Sequence, residues 1–324
     1  MTDEWREALR DRFRDVVDGL RASRDRRRGL PWLRAEFLRR TGRELNLQDP
    51  ATIDEKVQWR KLNVRDPLYP ILSDKLRMRD FVRERLGIGA NDDLFSRLLG
   101  DTARPTAPWL ARLGDGIAIK ANHASGWNAF VQKGEDPDWE QIARKARHWM
   151  RRRYGLRKQE WAYWSIPRRV LVEELLCGAD GAFPLDFKFE TFDGKVRCIQ
   201  IERTNGGRML GRFLPDWTCL PIPANPRISL AEMPCPAELP RMIGIAERIA
   251  AGMDYLRVDF LRAADRLVLN ELTLYRVSGF SKPSPPQMSD WLGACWRNPA
   301  WPDRSGEADR WLGGILALGT EETA

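Results

Sequence analysis

Two neighbouring stretches decide the fold: Arg257-Val258-Asp259-Phe260-Leu261 and Leu267-Val268-Leu269-Asn270-Glu271-Leu272. Both are rich in branched and aromatic apolar residues, and residues 263–266 between them form a turn, so the pair predicts a β-hairpin. A three-residue loop would place Asp259 directly opposite Glu271. Opposed residues in antiparallel strands have Cβ atoms roughly 4.5–5.5 Å apart on the same face of the sheet. The hairpin therefore brings two carboxylates together in an apolar setting.

Two carboxylates at that distance repel each other unless a cation lies between them. Charged groups in buried strands usually pair with an opposite charge or coordinate a metal. Carboxylate oxygens select Mg²⁺ or Mn²⁺, and Mg²⁺ typically takes one or two carboxylates together with substrate phosphates. The alternative is a carboxylate pair neutralised by neighbouring arginines such as Arg257, and spacing alone favours that alternative.

The composition bounds the class of protein. The 324 residues are 43% hydrophobic, which is enough for two or three packed lobes. No run of 18 apolar residues and no apolar signal core near the N-terminus occur, so we expect a cytoplasmic protein without a membrane span. Five cysteines without a CxxC pair and only two histidines disfavour a disulfide framework, a zinc site or a His-rich metal centre.

The charge balance is basic, with a formal net charge of +8 and a pI of about 9.4. Such a balance favours acidic partners: nucleotide phosphates, anionic polymers, nucleic acid or a membrane surface. The arginines of residues 26–28 and 144–153, interleaved with Trp149 and Tyr154, also suggest a non-catalytic basic binding module. A solvated basic face is the plainest alternative.

Local patterns predict helices and strands in mixed order, which indicates an α+β fold. Apolar residues at helical spacing predict a charged amphipathic helix over residues 3–29. Thr52 with Glu55 forms a capping-box pattern that predicts a helix over 52–62. A further helix is expected over 73–86, a loop over 101–108, and a hairpin around the turn Asp193-Gly194.

Three further segments carry polar residues in apolar surroundings. Lys120 ends a short strand and precedes a small-residue loop that includes Ser125 and Gly126, an arrangement that can hold phosphates, although no Walker loop is present. The strand before Glu173 and Glu174 fits an adenine-contacting hinge or an ordinary strand end. Alternation places Asp186, Lys188 and Glu190 on one face of the next hairpin, or on its solvated outer side.

The order of these features resembles the ATP-grasp superfamily, and most closely its TupA-like family, known from bacterial polysaccharide and teichuronopeptide gene clusters. The resemblance covers residues 45–290 and rests on three phrases, which are Asp54-Glu55-Lys56-Val57-Gln58-Trp59-Arg60-Lys61-Leu62, Asn122-His123-Ala124-Ser125-Gly126, and Glu271-Leu272-Thr273-Leu274-Tyr275 with Ser278-Gly279-Phe280. Ala124 and Trp127 stand where glycines are expected, and Arg276-Val277 replaces Pro-Gly.

The resemblance implies a role for each site residue. Lys75 and Lys120 would bind nucleotide phosphates beneath a loop containing Ser125 and Gly126. The remaining implied assignments are Glu173, Glu174, Leu175 and Leu176 as the adenine hinge, Asp180 on the ribose, Lys188 and Arg203 near the phosphates, Arg257 on the acyl phosphate, and Asp259, Glu271 and Thr273 as Mg²⁺ ligands.

The resemblance also implies the architecture, an ATP-grasp fold in which two α+β lobes grip the nucleotide, with an extra N-terminal helical arm. We divide the chain accordingly into a charged arm (1–45), a helical region (46–110), a lid lobe (111–176), a catalytic lobe (177–290) and a tail (291–324).

The implied function is an ADP-forming ligase that uses ATP and Mg²⁺ or Mn²⁺ to join a carboxylate to an amine. The expected substrates include an acidic saccharide or peptide of surface-polysaccharide biosynthesis. Among other partners, peripheral contact with a membrane is possible and no specific nucleic acid is expected. A glycosyl- or phospho-transferring enzyme of the same pathways is the rival enzyme.

Overall fold

A computed structural model describes residues 3–178, 181–203, 208–221, 233–264 and 266–318. These residues fall into two compact units, each drawn from separate stretches of the chain. The first unit takes Met1–Ala35, Arg65–Phe81 and Phe95–Leu176, and the second takes Glu36–Val64, Val82–Leu94 and Cys177–Ala324. The five-region division drawn from the sequence stays a prediction.

The described helices are numbered in chain order, as are the strands. The helices are α1 Asp3–Arg27, α2 Pro31–Thr41, α3 Ile53–Asn63, α4 Tyr69–Leu72, α5 Arg77–Leu86, α6 Ala107–Ala111, α7 Trp139–Arg151, α8 Leu239–Ala250, α9 Gln287–Cys295 and α10 Ala308–Ala317. The strands are β1 Leu98–Thr102, β2 Ile117–Ala121, β3 Asn128–Val131, β4 Val170–Glu174, β5 Leu185–Phe192, β6 Lys195–Arg203, β7 Arg208–Phe213, β8 Tyr255–Arg262 and β9 Leu267–Thr273. Short 3-10 turns occupy Trp161–Tyr163, Arg276–Gly279 and Ser305–Glu307. None of these described helices is both long and apolar enough to cross a bilayer.

The first unit contains a four-stranded antiparallel sheet in the order β1-β4-β2-β3. Its core joins this sheet to α6 and α7 through buried side chains that include Ile119, Val172 and Trp149. Burial of such branched and aromatic side chains is the main stabilising contribution, roughly 1.5–3 kcal/mol for each fully buried one. The sheet thereby fixes the position of Lys120 near the end of β2.

Two boundaries expected in this part of the sequence are corrected. The helix expected over 73–86 begins only at Arg77, because the Asp74 carboxylate accepts the backbone N–H of Leu76 at 2.9 Å and holds a turn there. The loop expected over 101–108 contains the end of β1 and the start of α6. Thr106 caps α6 by accepting the N–H of Trp109 at 3.3 Å.

The second unit contains a five-stranded antiparallel sheet in the order β7-β6-β5-β8-β9. Asp193 and Gly194 both have positive φ, 49° and 70°, as a two-residue hairpin turn between β5 and β6 requires. Helix α8 packs on β5, β6 and β8. Phe187 and Phe189 are fully buried on one face of β5, which leaves Asp186, Lys188 and Glu190 on the other.

The hairpin of β8 and β9 pairs Asp259 with Glu271, as the sequence predicts. The connection is nevertheless longer than expected, since Arg262 pairs with Leu267 and four residues separate them. A β-bulge between Asp259 and Phe260 absorbs the extra residue and restores the predicted register. The two carboxylates therefore share one face of the sheet.

Helix α3 is a polar helix in the interior of the second unit. The capping box of Thr52 and Glu55 starts it as predicted. Lys56 is fully buried and donates to the carbonyl oxygens of Gly293 and Trp296 at 2.8 and 2.7 Å. Arg60 is 1% exposed, donates to the carbonyl oxygen of Tyr255 at 3.0 Å and ion-pairs with Asp254. These partners satisfy the charges, without which their burial would cost several kcal/mol.

Helix α3 also hydrogen-bonds to a strained turn, Arg276–Gly279, which follows β9. Val277 and Ser278 have φ of 44° and 58°, a region that β-branched residues rarely adopt. Gln58 and Lys61 both donate to the carbonyl oxygen of Ser278, at 3.1 and 2.8 Å. Gly279 follows at φ 67°, where a Cβ would lie 2.9 Å from Val57 Cγ1 and 3.0 Å from the backbone oxygen of Asp54, so only glycine fits.

We predict that Asp54→Ala lowers the free energy of unfolding by about 3 kcal/mol or more. Asp54 is buried and accepts from the backbone N–H and hydroxyl of Ser281 at 2.8 and 2.7 Å and from the Ser289 hydroxyl at 2.9 Å. The measurement is the urea midpoint followed by circular dichroism. Asp93→Ala, at a side chain 78% exposed, is the matched control and should change little. Equal midpoints for the two variants would contradict this assignment.

Candidate functional site

A polar face crosses β6, β5, β8 and β9 in the second unit. Strand register places Lys188 opposite Gln200 on one side and opposite Asp259 on the other. The Lys188 ammonium pairs with Glu202 and lies 3.4 Å from Asp186 Oδ2. Because directly opposed residues point to the same side of a sheet, these groups and Glu271 line one continuous surface.

Arg257 and Asp259 form the closest pair on this face. The Arg257 guanidinium donates from Nε and Nη2 to the two Asp259 oxygens at 2.7 and 2.6 Å, a bidentate geometry. Nη2 also donates to the Thr273 hydroxyl at 3.2 Å. Arg257 therefore neutralises Asp259, which is the alternative to a metal site that the sequence left open. Each carboxylate oxygen still has a further lone pair for a second partner.

The carboxylates on this face are electrostatically crowded. Burial, followed by the charge of Asp259, raises the pKa of Asp186 to about 7. Burial likewise raises the pKa of Asp259, against the opposing effect of Arg257. The pKa of Glu202 moves the other way: burial opposes ionisation, but Lys188 outweighs it and lowers the pKa.

These side chains fit a hard divalent cation. Four carboxylates (Asp186, Glu202, Asp259 and Glu271) share this face with three cationic side chains (Lys188, Arg257 and Arg212), and Oδ1 of Asp186 is buried with no hydrogen-bond partner among the described residues. Over the same residues, no three Asp, Glu, His or Cys side chains form a complete ligand set. A cation that takes two carboxylates and completes its shell with phosphate oxygens matches this arrangement.

Glu190 connects this face to α3. It lies opposite Arg257 and accepts from the Tyr255 hydroxyl and Arg276 Nε, each at 2.7 Å. Arg276 also donates to the Ser281 hydroxyl at 2.7 Å, and Ser281 donates in turn to Asp54 of α3. A buried chain of hydrogen bonds therefore runs from Glu190, the cross-strand neighbour of Arg257, to α3.

Glu202 and Arg276 are among the residues on or next to this face that the site assignment made from sequence did not include. Glu202 was omitted although the Asp193-Gly194 turn sets a register that puts it opposite Asp186. Arg276 was noted only as a departure from Pro-Gly, because its contact with Glu190 joins residues 86 positions apart. The first signal was present in the sequence and the second was not.

In the first unit, Lys120 belongs to a buried ion triad. Its ammonium lies 2.7 Å from Glu173 Oε2, and Arg79 pairs with the other Glu173 oxygen. Burial opposes ionisation of Glu173, but Lys120 and then Arg79 outweigh it and lower the pKa of this carboxyl. The triad orients Lys120 at the end of β2.

Lys75 lies beside the predicted phosphate loop. Its ammonium donates to the carbonyl oxygen of Ala124 at 2.8 Å, which brings it next to Ser125 and Gly126. Gly126 has φ 74°, so the turn needs its freedom. Trp127 packs edge-on against His123 with ring centroids 5.6 Å apart, and burial lowers the pKa of His123 to about 4. The ring is a structural support of the loop.

The residues of the predicted adenine hinge lie at the end of β4 and directly after it. The backbone N–H groups of Glu174 and Leu175 donate to the carbonyl oxygens of Arg97 and Gly116 at 3.1 and 2.8 Å. Leu176, the last of the predicted hinge residues, is buried.

Arg203 pairs with Leu185, which alternation puts on the sheet face opposite Lys188. Asp180, predicted for the ribose, lies outside the described residues. The hinge, ribose, phosphate and metal assignments all stay predictions.

Comparison with known proteins agrees with the resemblance. A protein-family model matches residues 55–297, well over half of the chain, and its description is TupA-like ATPgrasp. The chain is therefore an ATP-grasp protein. It belongs to the TupA-like ATP-grasp family, which confirms the family and the α+β ATP-grasp fold expected from the sequence.

Several solved structures are distantly similar. The ATP-grasp ligase PsnB, complexed with a phosphomimetic variant of its minimal precursor, Mg and ADP, shares 14% identity over 74% of this chain and 64% of that chain, with a TM-score of 0.36. D-alanine–D-alanine ligase from Bacillus anthracis shares 15% identity over 78% of this chain and 70% of that chain, with a TM-score of 0.37.

D-cycloserine synthetase DcsG shares 14% identity over 76% of this chain and 72% of that chain, with a TM-score of 0.38. The chain thus spans less than two thirds of the length of the PsnB chain that it matches. No curated protein sequence matches.

We predict that Glu173→Gln destabilises the protein by about 3 kcal/mol at neutral pH, because Lys120 and Arg79 lose their buried counter-charge. The folded state lowers the pKa of Glu173, so its stabilising contribution is present above the ordinary glutamate pKa of about 4.3 and is lost as the pH falls. Urea unfolding of both proteins from pH 7 down to pH 3 should therefore show the difference narrowing. Glu140→Gln, at an exposed Glu–Arg pair, should cause little change at any pH. A gap that stays constant with pH would refute the role of this ionised pair.

Proposed function

We propose that the protein is an ATP-dependent, ADP-forming ligase that joins a substrate carboxylate to an amine. The single observation that carries the proposal is the opposed pair Asp259 and Glu271 on a buried, carboxylate-rich face. Family membership adds ATP-grasp ancestry to that geometry. The activity, the substrates and the roles of individual residues all belong to the proposal.

In the proposed reaction, a substrate carboxylate takes the γ-phosphate of ATP and ADP leaves. An amine then attacks the acyl phosphate, and inorganic phosphate departs as the amide forms. Bound Mg²⁺ would neutralise phosphate charge and orient the phosphate oxygens. The chain needs no covalent nucleophile, because positioning and fixed charge supply the catalysis.

The second unit would supply the metal ligands and one cation. Asp259 and Glu271 would hold the metal, with the Thr273 hydroxyl as a weak third oxygen. Arg257 is held by Asp259 and Thr273, so its position is set before substrate arrives and it can stabilise charge on the acyl phosphate. Lys188, fixed between Asp186 and Glu202, would offer its ammonium to phosphate oxygens.

The first unit would supply further phosphate ligands. Lys120 is oriented by Glu173, and Lys75 is anchored to the Ala124 carbonyl beside Ser125 and Gly126. Ammonium groups and exposed loop N–H groups are typical phosphate ligands. The proposed hinge at Glu173, Glu174, Leu175 and Leu176 would contact adenine through its carbonyl oxygens, since two of its N–H groups are engaged within the sheet.

The substrate class implied by the resemblance stays a proposal: an acidic saccharide or peptide precursor of a surface polymer, handled in the cytoplasm, where ATP is available. A glycosyl- or phospho-transferring enzyme gains no specific support from the site. A basic binding module is weakened, because Arg151, Arg152 and Arg153 pair with acidic residues of α1.

We predict that Mg-ATP raises the melting temperature and that a screen of acidic saccharides and peptides with amines yields ADP and an amide. Ligand binding to the folded state alone stabilises it by mass action. The measurements are thermal unfolding with and without Mg-ATP, an ADP-release assay, and the product mass. Excess EDTA should abolish both effects. No turnover together with an unchanged melting temperature would rule the ligase out, and a product without an amide bond would favour the transferase.

We predict that Asp259→Asn and Glu271→Gln each lower ADP release about a hundredfold or more, because each removes a charge that holds the metal. The apparent Mg²⁺ requirement should rise in both variants. Asp93→Asn, at an exposed carboxylate, is the matched control and should keep full activity. If both site variants keep normal activity and Mg²⁺ dependence, the pair is not the metal site.

A further inference from the structure

Helix α1 carries an apolar stripe on its outward side. The stripe consists of five large apolar residues at spacings of three and four, which place them on one helical face. Their exposed fractions are high for side chains of this kind: Trp5 48%, Leu9 54%, Phe13 69%, Val16 55% and Leu20 62%. A contiguous exposed patch of this type marks an interaction surface.

The opposite side of α1 is acidic and faces the first unit. Asp15 accepts from the backbone N–H and Nε of Arg153 at 2.7 and 2.9 Å. Asp18 pairs with Arg152 at 2.8 Å, and Asp11 lies 2.8 Å from His148 Nδ1. Asp11 and Asp15 are buried in these contacts. The ion pairs therefore fix which face of α1 points outward and neutralise its acidic residues.

Exposed arginines border the stripe. At 100° per residue, Arg24 and Arg10 lie about 20° and about 60° from Phe13 on one side. Arg12 flanks the stripe on the other side. With Asp11, Asp15 and Asp18 turned inward and paired, the outward surface of α1 combines large apolar side chains with positive charge.

We propose that the outward face of α1 docks on an anionic lipid membrane, with the helix lying in the plane of the headgroups. The stripe would enter the boundary between headgroups and acyl chains while the flanking arginines meet lipid phosphates, as in interfacial amphipathic helices of similar length. Charge complementarity selects this occupant over a second copy of the chain, because two stripes packed together would bring two rows of arginines side by side. The proposal is independent of the ligase activity.

The test is vesicle co-sedimentation of the full-length protein. Two probes are used: vesicles of phosphatidylcholine alone, and vesicles of phosphatidylcholine mixed with phosphatidylglycerol. The protein should pellet with the mixed vesicles and remain in the supernatant with phosphatidylcholine alone. Raising the salt concentration should weaken binding, because salt screens exposed charges.

Two variants separate the apolar and the charged contributions. Combined Leu9→Gln, Phe13→Gln and Leu20→Gln should lower partitioning to mixed vesicles at least about tenfold. Its control is Leu38→Gln with Leu98→Gln, at exposed apolar residues outside the stripe. Combined Arg10→Gln, Arg12→Gln and Arg24→Gln should lower partitioning about a hundredfold. Its control removes the same charge elsewhere, at exposed Arg104, Arg112 and Arg144.

All of these side chains are exposed, so melting temperatures should match that of the unchanged protein and separate a binding defect from misfolding. Equal binding to neutral and anionic vesicles, or no binding to either, would overturn the proposal. So would a dimer in light scattering that the stripe variant dissociates while vesicle binding is absent, since a second copy would then cover the face.

Discussion

The burial of charged side chains on helix α3 is the constraint on which the second unit depends. Lys56, Gln58 and Lys61 donate to backbone carbonyl oxygens of the segment from Ser278 to Trp296. A buried cation without such partners would cost several kcal/mol, so the helix and the segment must dock together or not at all. Gln58 and Lys61 hold the strained turn at Val277 and Ser278 through the Ser278 carbonyl oxygen. This turn follows β9, the strand that carries Glu271 and Thr273.

The ion triad around Glu173 and the polar face of the second unit both bury carboxylates, but they balance the negative charge differently. The Glu173 carboxylate has two cationic partners, so the triad is saturated and serves to orient Lys120. On the polar face of the second unit, carboxylates outnumber cations, and burial together with the charge of Asp259 raises the pKa of Asp186 to about 7. Excess negative charge in a buried setting costs free energy, and that cost is recovered when a cation binds. This difference is the reason why we propose the metal site on the polar face of the second unit and not at the triad.

The sequence predicted those features that local chemistry determines. The Asp193-Gly194 turn, the Thr52–Glu55 capping box and the opposed Asp259 and Glu271 follow from patterns a few residues long. The carboxylate pairing was predicted correctly although its loop length was wrong, since a bulge compensated for the extra residue. Sequence patterns did not reveal that α3 is buried, because the partners of its buried donors lie 194 to 240 positions away, or that each unit combines separate stretches of chain.

That separation has a consequence for synthesis. Gln58 leaves the ribosome 220 residues before Ser278, its acceptor, which at 5–20 residues per second is a wait of roughly 10–40 seconds. An apolar helix exposed for that time would be prone to aggregate, whereas lysine, arginine and glutamine remain hydrated. The polar side chains that raise the free-energy cost of burying α3 also keep the helix hydrated while it is exposed. The nascent chain can therefore keep α3 in water until the last third of the protein has been synthesised.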